Sequence, residues 1–227
     1  MKIAGLLKTS LIDYPGEIST VIFTPGCNFN CPYCHNSDLI DMDTEIYTMK
    51  EFYEHMEKRQ NIITGLVITG GEPTLQKGLV DFISSMKELN IKIKLDTNGS
   101  NYDVLKTIIN EKLIDYVAMD IKMPKNKYKE VTNENVLTEI MKSIVLIKNS
   151  NIKYEFRTTV VPDIHTAQDI DEIGKLIAGS KLHYIQNFKP VNTLDEYLLD
   201  TRRFYEGELL MFKEIMEKYV DSVKIRT

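Results

Sequence analysis

The sequence predicts an α/β protein whose parallel strands roll into an incomplete, TIM-like (β/α)6 barrel. Short β-branched runs alternate with longer stretches of helical period along all 227 residues. Six strand-then-helix units follow one another, which implies parallel strands joined by right-handed crossovers. Polar or glycine-rich motifs stand at the C-terminal ends of successive strands, where a barrel builds its mouth, whereas an open doubly wound sheet would gather them at one switch point. No composition break, linker or low-complexity run interrupts the pattern, so residues 1–227 read as one domain.

Taken in order, the strand segments are 18–24, 66–69, 91–96, 116–121, 153–161, 183–188 and a terminal 222–226. Helical segments lie between them at 48–60, 76–89, 102–113, 134–149, 166–178 and 201–219. Thr48, with Glu51 three residues on, forms a capping box for the first helix. Asn101 caps the third, whose Leu105, Ile108, Ile109 and Leu113 share one face. A cysteine-rich loop follows the first strand, GGEP (70–73) the second, and DTNG (96–99) the third. DIK (120–122) closes the fourth, Arg157 lies in the fifth, and NFKP (187–190) ends the sixth.

Composition narrows the class. With 43% hydrophobic and 27% charged residues, the chain has the make-up of a globular protein able to bury a substantial core. Its 28 Lys and Arg against 33 Asp and Glu leave a net charge of −5, which argues against a nucleic-acid protein held by a basic face. No run of apolar residues is long enough to cross a bilayer, and the first residues lack an apolar core of signal-peptide type, so a cytoplasmic location is expected. All 3 cysteines lie within one short loop. An odd, clustered set suits a metal centre or a reactive thiol site better than a disulfide framework.

That loop, CNFNCPYCHN (27–36), spaces Cys27, Cys31 and Cys34 as CxxxCxxC, so three thiolates can converge on one face. Four-iron clusters usually take four cysteines, and three would leave one iron open to a substrate or cofactor. Zinc held by Cys27, Cys31, Cys34 and His35 is an alternative, as is a redox thiol trio. His35 directly follows Cys34, however, and its side chain tends to point away. Gly70 and Gly71 permit close approach of backbone to a ligand, and Glu72 beside them is either part of that site or simply solvated. Asp120 and Lys122 are either ligand contacts or a surface ion pair. Arg157 is a charge inside a strand expected to be buried, so its side chain should enter the barrel mouth to meet a carboxylate. His55 and His165 read as surface histidines, and 122–129 as a solvated loop.

With CNFNCPYCHN at 27–36, GGEPTLQ at 70–76, LDTNG at 95–99, AMDIK at 118–122 and RTTVVPD at 157–163, the chain resembles the radical S-adenosylmethionine enzymes. Within them it is similar to the activating enzymes of glycyl radical enzymes, above all those of anaerobic ribonucleoside-triphosphate reductase and pyruvate formate-lyase. The resemblance implies a radical SAM core and one [4Fe-4S] cluster on Cys27, Cys31 and Cys34. The iron without a cysteine would be chelated by S-adenosylmethionine, whose reductive cleavage yields a 5'-deoxyadenosyl radical that abstracts hydrogen from a glycine of a partner. It also implies an electron donor of flavodoxin or ferredoxin type. Tyr33, Cys34 and His35 would lie by the adenine and Gly70, Gly71 and Glu72 by the methionine end. Asp96, Thr97, Asn98, Asp120 and Lys122 would hold the carboxylate and ribose, partly through a monovalent cation, with Arg157 nearby.

One segment departs from the pyruvate formate-lyase activases. Where they carry a histidine-containing LLPYH-type segment, this chain reads YIQNFKPVNTLDEYL (184–198), and FKPVNTLD looks more like the ribonucleotide reductase branch. No cysteine follows Cys34, so an auxiliary cluster is not expected. Other expectations remain: activation of pyruvate formate-lyase or another glycyl radical enzyme, radical chemistry on a small molecule, and a non-enzymatic zinc module.

Overall fold

The computed structural model describes residues 1–132 and 136–227. Eight strands form one sheet in sequence order: β1 (Gly5–Ser10), β2 (Ser19–Thr24), β3 (Gly65–Gly70), β4 (Lys92–Thr97), β5 (Tyr116–Asp120), β6 (Lys153–Val160), β7 (His183–Asn187) and β8 (Val223–Arg226). From β2 to β8 every neighbouring pair is parallel. The sheet stays open between β1 and β8, so the barrel is incomplete. Six helices return the chain from strand to strand: α1 (Met49–Lys58), α2 (Leu79–Glu88), α3 (Tyr102–Asn110), α4 (Leu137–Asn149), α5 (Ala167–Leu176) and α6 (Glu206–Met216).

Sequence periodicity misses β1, which pairs antiparallel with β2, Gly5 opposite Phe23 and Leu7 opposite Val21. Most of this edge strand is solvent-facing, so it lacks the apolar alternation that marks a half-buried strand. The helix expected over 201–219 begins only at Glu206. The residues before it stay extended because Asn187 grips them: its Nδ2 donates to the Phe204 carbonyl at 2.9 Å, and its Oδ1 accepts from the Phe204 N–H at 3.2 Å. The α4 start expected at 134 falls outside the described residues. Thr48 and Glu51 do make the capping box of α1, and Asn101 caps α3.

Each parallel strand sends alternate side chains to the helices and to the lumen. Ile93 and Leu95 of β4, Val117 and Met119 of β5, and Phe156 and Val160 of β6 pack under the helices in the apolar core. The intervening residues, Lys94, Asp96, Tyr116, Asp120, Glu155 and Arg157, give the lumen an unusual polarity. Low in it, Tyr14, Val21, Val67 and Tyr116 form a small separate apolar cluster. Above that, the fully buried Glu155 accepts from Tyr116 Oη at 2.8 Å and from Arg226 Nη1 at 3.0 Å. Buried charges persist only when partnered in this way.

His183 is fully buried where β7 meets β6, with Nε2 3.0 Å from Thr158 Oγ1 and Nδ1 without a partner among the described residues. Burial pushes its pKa from 6.5 down to about 3. The unfolded chain takes up that proton below pH 6.5 while the native state refuses it, so stability present above pH 6.5 drains as the pH falls. At pH 5 the loss from this residue is about 2 kcal/mol. His183→Gln removes it, and the gap in unfolding free energy between pH 7 and pH 5 should shrink by that amount.

Candidate active site

A cavity of about 260 Å³ opens at the C-terminal mouth of the barrel, lined by Cys27, Cys31, Tyr33, Cys34, His35, Gly70, Gly71, Glu72, Asp96, Thr97, Asn98, Asp120, Lys122 and Arg157. Strands β2 to β6 and the loops that follow them thus bring the cysteines, Arg157 and most of GGEP, DTNG and DIK to one place, whereas NFKP (187–190) lies outside this lining. Phe29, Asn36, Ile40, Thr69, Thr159 and Gln186 complete the walls. A larger groove, about 1230 Å³, lies between α3, α4 and the N-terminal ends of β4 to β6, and contains none of the motif residues.

The cysteine loop is pinned by its backbone. The Cys34 N–H donates to the Cys31 carbonyl at 3.0 Å, the Asn30 N–H to Val131 at 2.7 Å, and the Asp195 N–H to Pro32 at 2.9 Å. Cys27 Sγ accepts from the Phe29 N–H at 3.4 Å. Burial pushes the Cys27 thiol up to about 11 and Cys31 up to about 12, so they ionise readily only against a bound cationic centre. Three soft sulfur donors facing one cavity fit iron–sulfur ligation. Among the described residues no group of three His, Cys, Asp or Glu is placed to hold a single metal ion. The His35 ring turns elsewhere, with Nδ1 3.0 Å from the Val191 carbonyl and its face tilted on Phe188.

The glycines of GGEP also lie against the chain that leads into the cysteine loop. A Cβ on Gly71 would lie 2.0 Å from the Gly26 carbonyl oxygen, and one on Gly70, at φ +119°, would lie 2.4 Å from the Thr24 backbone. The close approach read from sequence is therefore made by the protein's own chain, although both residues still line the cavity. Glu72 is not solvated either. It is fully buried, and its Oε1 accepts from Thr74 Oγ1 at 2.6 Å and Thr97 Oγ1 at 2.7 Å while Oε2 accepts from the Asn98 N–H at 2.6 Å. It staples GGEP to DTNG. Burial raises its pKa, and those hydrogen bonds work against the rise. Glu72→Gln turns an amide NH2 toward one of these donors and should cost about 1–3 kcal/mol, read as a lowered Tm.

Arg157 bridges two carboxylates, with Nε donating to Asp120 Oδ1 at 2.7 Å and Nη1 to Asp96 Oδ2 at 2.9 Å. Lys122 Nζ takes the other Asp120 oxygen at 3.0 Å, and Lys94 Nζ the other Asp96 oxygen at 2.5 Å. The Asp120–Lys122 pair is thus one end of a part-buried chain of charges at the mouth and not an isolated surface contact. Burial works to raise both carboxyls, but the Arg157 guanidinium and the neighbouring lysines hold them below the usual range. Sequence reasoning missed Lys94.

Two further expectations are corrected. His165 is only 3% exposed and sits under the mouth: its Nδ1 accepts from the Val161 N–H at 3.2 Å, so Nε2 carries the proton to the Lys122 carbonyl at 3.0 Å. Tyr33 Oη donates to the same carbonyl at 3.1 Å, its ring edge-on to His165. The stretch 122–129 is not a free loop, because Tyr128 is buried against Phe29 and Lys127 pairs with Asp169 at 2.9 Å. His55 lies on α1, away from the cavity, between Thr20 Oγ1 and the Lys8 carbonyl.

The segment that departs from the pyruvate formate-lyase pattern closes on the cysteine loop. Asn192 Nδ2 donates to the His35 carbonyl at 3.1 Å and to Asp38 Oδ2 at 3.2 Å. Gln186 is its side chain at the cavity. No helix among the described residues is long and apolar enough to cross a membrane.

Residues 21–177 match the family described as the Radical SAM superfamily, and the chain belongs to it. It is a radical SAM enzyme, a family that implies a [4Fe-4S] cluster and S-adenosylmethionine. A protein of Methanocaldococcus jannaschii, provisionally named a glycyl-radical enzyme activating enzyme, is 38% identical over 99% of this chain and 95% of its own length. The pyruvate formate-lyase-activating enzyme of Clostridium pasteurianum is 27% identical over 89% of this chain and 85% of its own. A Pyrococcus abyssi protein, provisionally named a GTP 3',8-cyclase, is 31% identical over 95% of this chain and 71% of its own.

Proposed function

We propose that this chain is a single-domain activase that generates a glycyl radical on a partner enzyme, and that the partner is an anaerobic ribonucleoside-triphosphate reductase. The observation that carries the reading is the single cavity where the three cysteines meet GGEP, DTNG, DIK and Arg157. Similarity to two activases along nearly the full chain supports the reaction, and FKPVNTLD (188–195) supports the partner.

Cys27, Cys31 and Cys34 would hold the cluster, which, reduced by a flavodoxin or ferredoxin type donor, would with S-adenosylmethionine supply a carbon-centred radical for hydrogen abstraction. The protein's own work is positioning. Asp96, Arg157, Asp120 and Lys122 present the polar surface for the carboxylate and ribose. Thr97 and Asn98, fixed by Glu72, hold the rim against the cysteine loop. The backbone around Cys34 and His35 faces the adenine, and Tyr33, locked to the Lys122 carbonyl, closes the wall. No side chain acts as a general base, because a hydrogen atom and not a proton leaves the glycine.

Anaerobic incubation with reductant, S-adenosylmethionine and the partner should release methionine and 5'-deoxyadenosine in step with substrate radical. Consumption of GTP or another small molecule, with no radical on any glycyl radical enzyme from the same source, would place the chain with the cyclase relative instead. A colourless, zinc-retaining protein that leaves S-adenosylmethionine intact would sink both readings.

A further inference from the structure

We propose that Lys94 is a built-in counter-ion of Asp96, so that this enzyme positions S-adenosylmethionine without the monovalent cation expected from its resemblance to the activases. The inference deepens the functional reading above and rests on it for the identity of the ligand. Any such cation would need oxygen donors at Asp96, Thr97 and Asp120. All four carboxylate oxygens are already taken by nitrogen: Asp96 by Lys94 and Arg157, and Asp120 by Arg157 and Lys122. Thr97 Oγ1 is turned to the protein as well, donating to Glu72 at 2.7 Å and accepting from the Gly99 N–H at 3.1 Å.

Charge points the same way. The chain Lys94, Asp96, Arg157, Asp120, Lys122 carries three positive and two negative groups, +3 − 2 = +1. That surplus suits an anionic carboxylate, whereas an added alkali ion would raise it to +2 at a part-buried site. Lys94 is 3% exposed and stands in the lumen between the helix-facing Ile93 and Leu95. A buried ammonium is tolerated there because a carboxylate meets it. Lys94 is a positioning residue: it acts through Asp96 on the Arg157 fork.

The test measures S-adenosylmethionine affinity of the anaerobically reconstituted enzyme in sodium, potassium and choline chloride at equal ionic strength. Wild type should vary by no more than about twofold, while Lys94→Ala should lose about tenfold in choline and recover it with sodium or potassium. Lys94→Arg, which keeps the charge, should stay independent of alkali ions. A wild-type loss of about tenfold in choline, or a folded Lys94→Ala with no alkali rescue, would overturn the proposal. Crystals soaked in thallium(I) give a readout that needs no cofactor: no anomalous peak is expected between Asp96 and Asp120 in wild type, and a peak there would overturn the proposal. If wild type binds no S-adenosylmethionine in any salt, the functional reading has failed, and the thallium result still decides on Lys94.

Discussion

Cys31→Ala is expected to abolish both cluster formation and S-adenosylmethionine cleavage. The chain has only 3 cysteines, all in one loop, so no spare thiol exists to take over the vacated iron. The Cys31 thiol is buried and lines the cavity with Tyr33 and Lys122, so its loss removes a sulfur donor from the site itself. Truncating one small side chain costs the apo fold little, on the order of 1 kcal/mol. The variant should therefore be soluble and folded but colourless, with iron content and 5'-deoxyadenosine yield both at background. Cleavage retained at the wild-type rate would contradict the assignment of Cys31 to the cluster.

Arg157→Met is the second large effect. The guanidinium is one side chain satisfying two part-buried carboxylates, and removing it leaves Asp96 and Asp120 with half their partners gone. For a fully buried pair such a break costs about 3–5 kcal/mol, and at this part-exposed mouth the cost should fall at the lower end of that range. S-adenosylmethionine affinity should fall about a hundredfold, because the polar surface under the carboxylate collapses. Arg157→Lys recovers little, since one ammonium cannot span both acids as the fork does. The pH dependence follows from the lowered pKa of each acid: the stability they confer is complete above the ordinary 3.8 and drains as the pH falls through their lower native values. Unfolding by urea at pH 7 and S-adenosylmethionine titration measure the two effects separately.

Much of this site was legible because parallel βα order alone brings the C-terminal ends of consecutive strands to one mouth. A loop after β2, GGEP after β3, DTNG after β4 and DIK after β5 must then be neighbours, whatever their separation in sequence. Three features were harder to read. The edge strand β1 is largely exposed and lacks alternation. The glycines of GGEP line the cavity as read, but they also accommodate the backbones of Thr24 and Gly26, a contact only the folded chain reveals. His165 follows a Pro-Asp turn and carries the marks of a loop residue, but the Lys122 carbonyl draws it inward. Lys94 did leave a signal. The argument that picked out Arg157, a charge in a strand buried on both faces, applies equally to Lys94 in β4 and Glu155 in β6.

The central claim is that this barrel makes a radical on another protein's glycine. The most direct measurement is electron paramagnetic resonance of the reduced enzyme mixed anaerobically with S-adenosylmethionine and the anaerobic ribonucleotide reductase of the same source. The predicted result is a glycyl radical doublet on the reductase, absent when Cys31→Ala replaces wild type. No doublet on the reductase or on any other glycyl radical enzyme of that source, from an enzyme that still cleaves S-adenosylmethionine and turns over a small molecule, would contradict it.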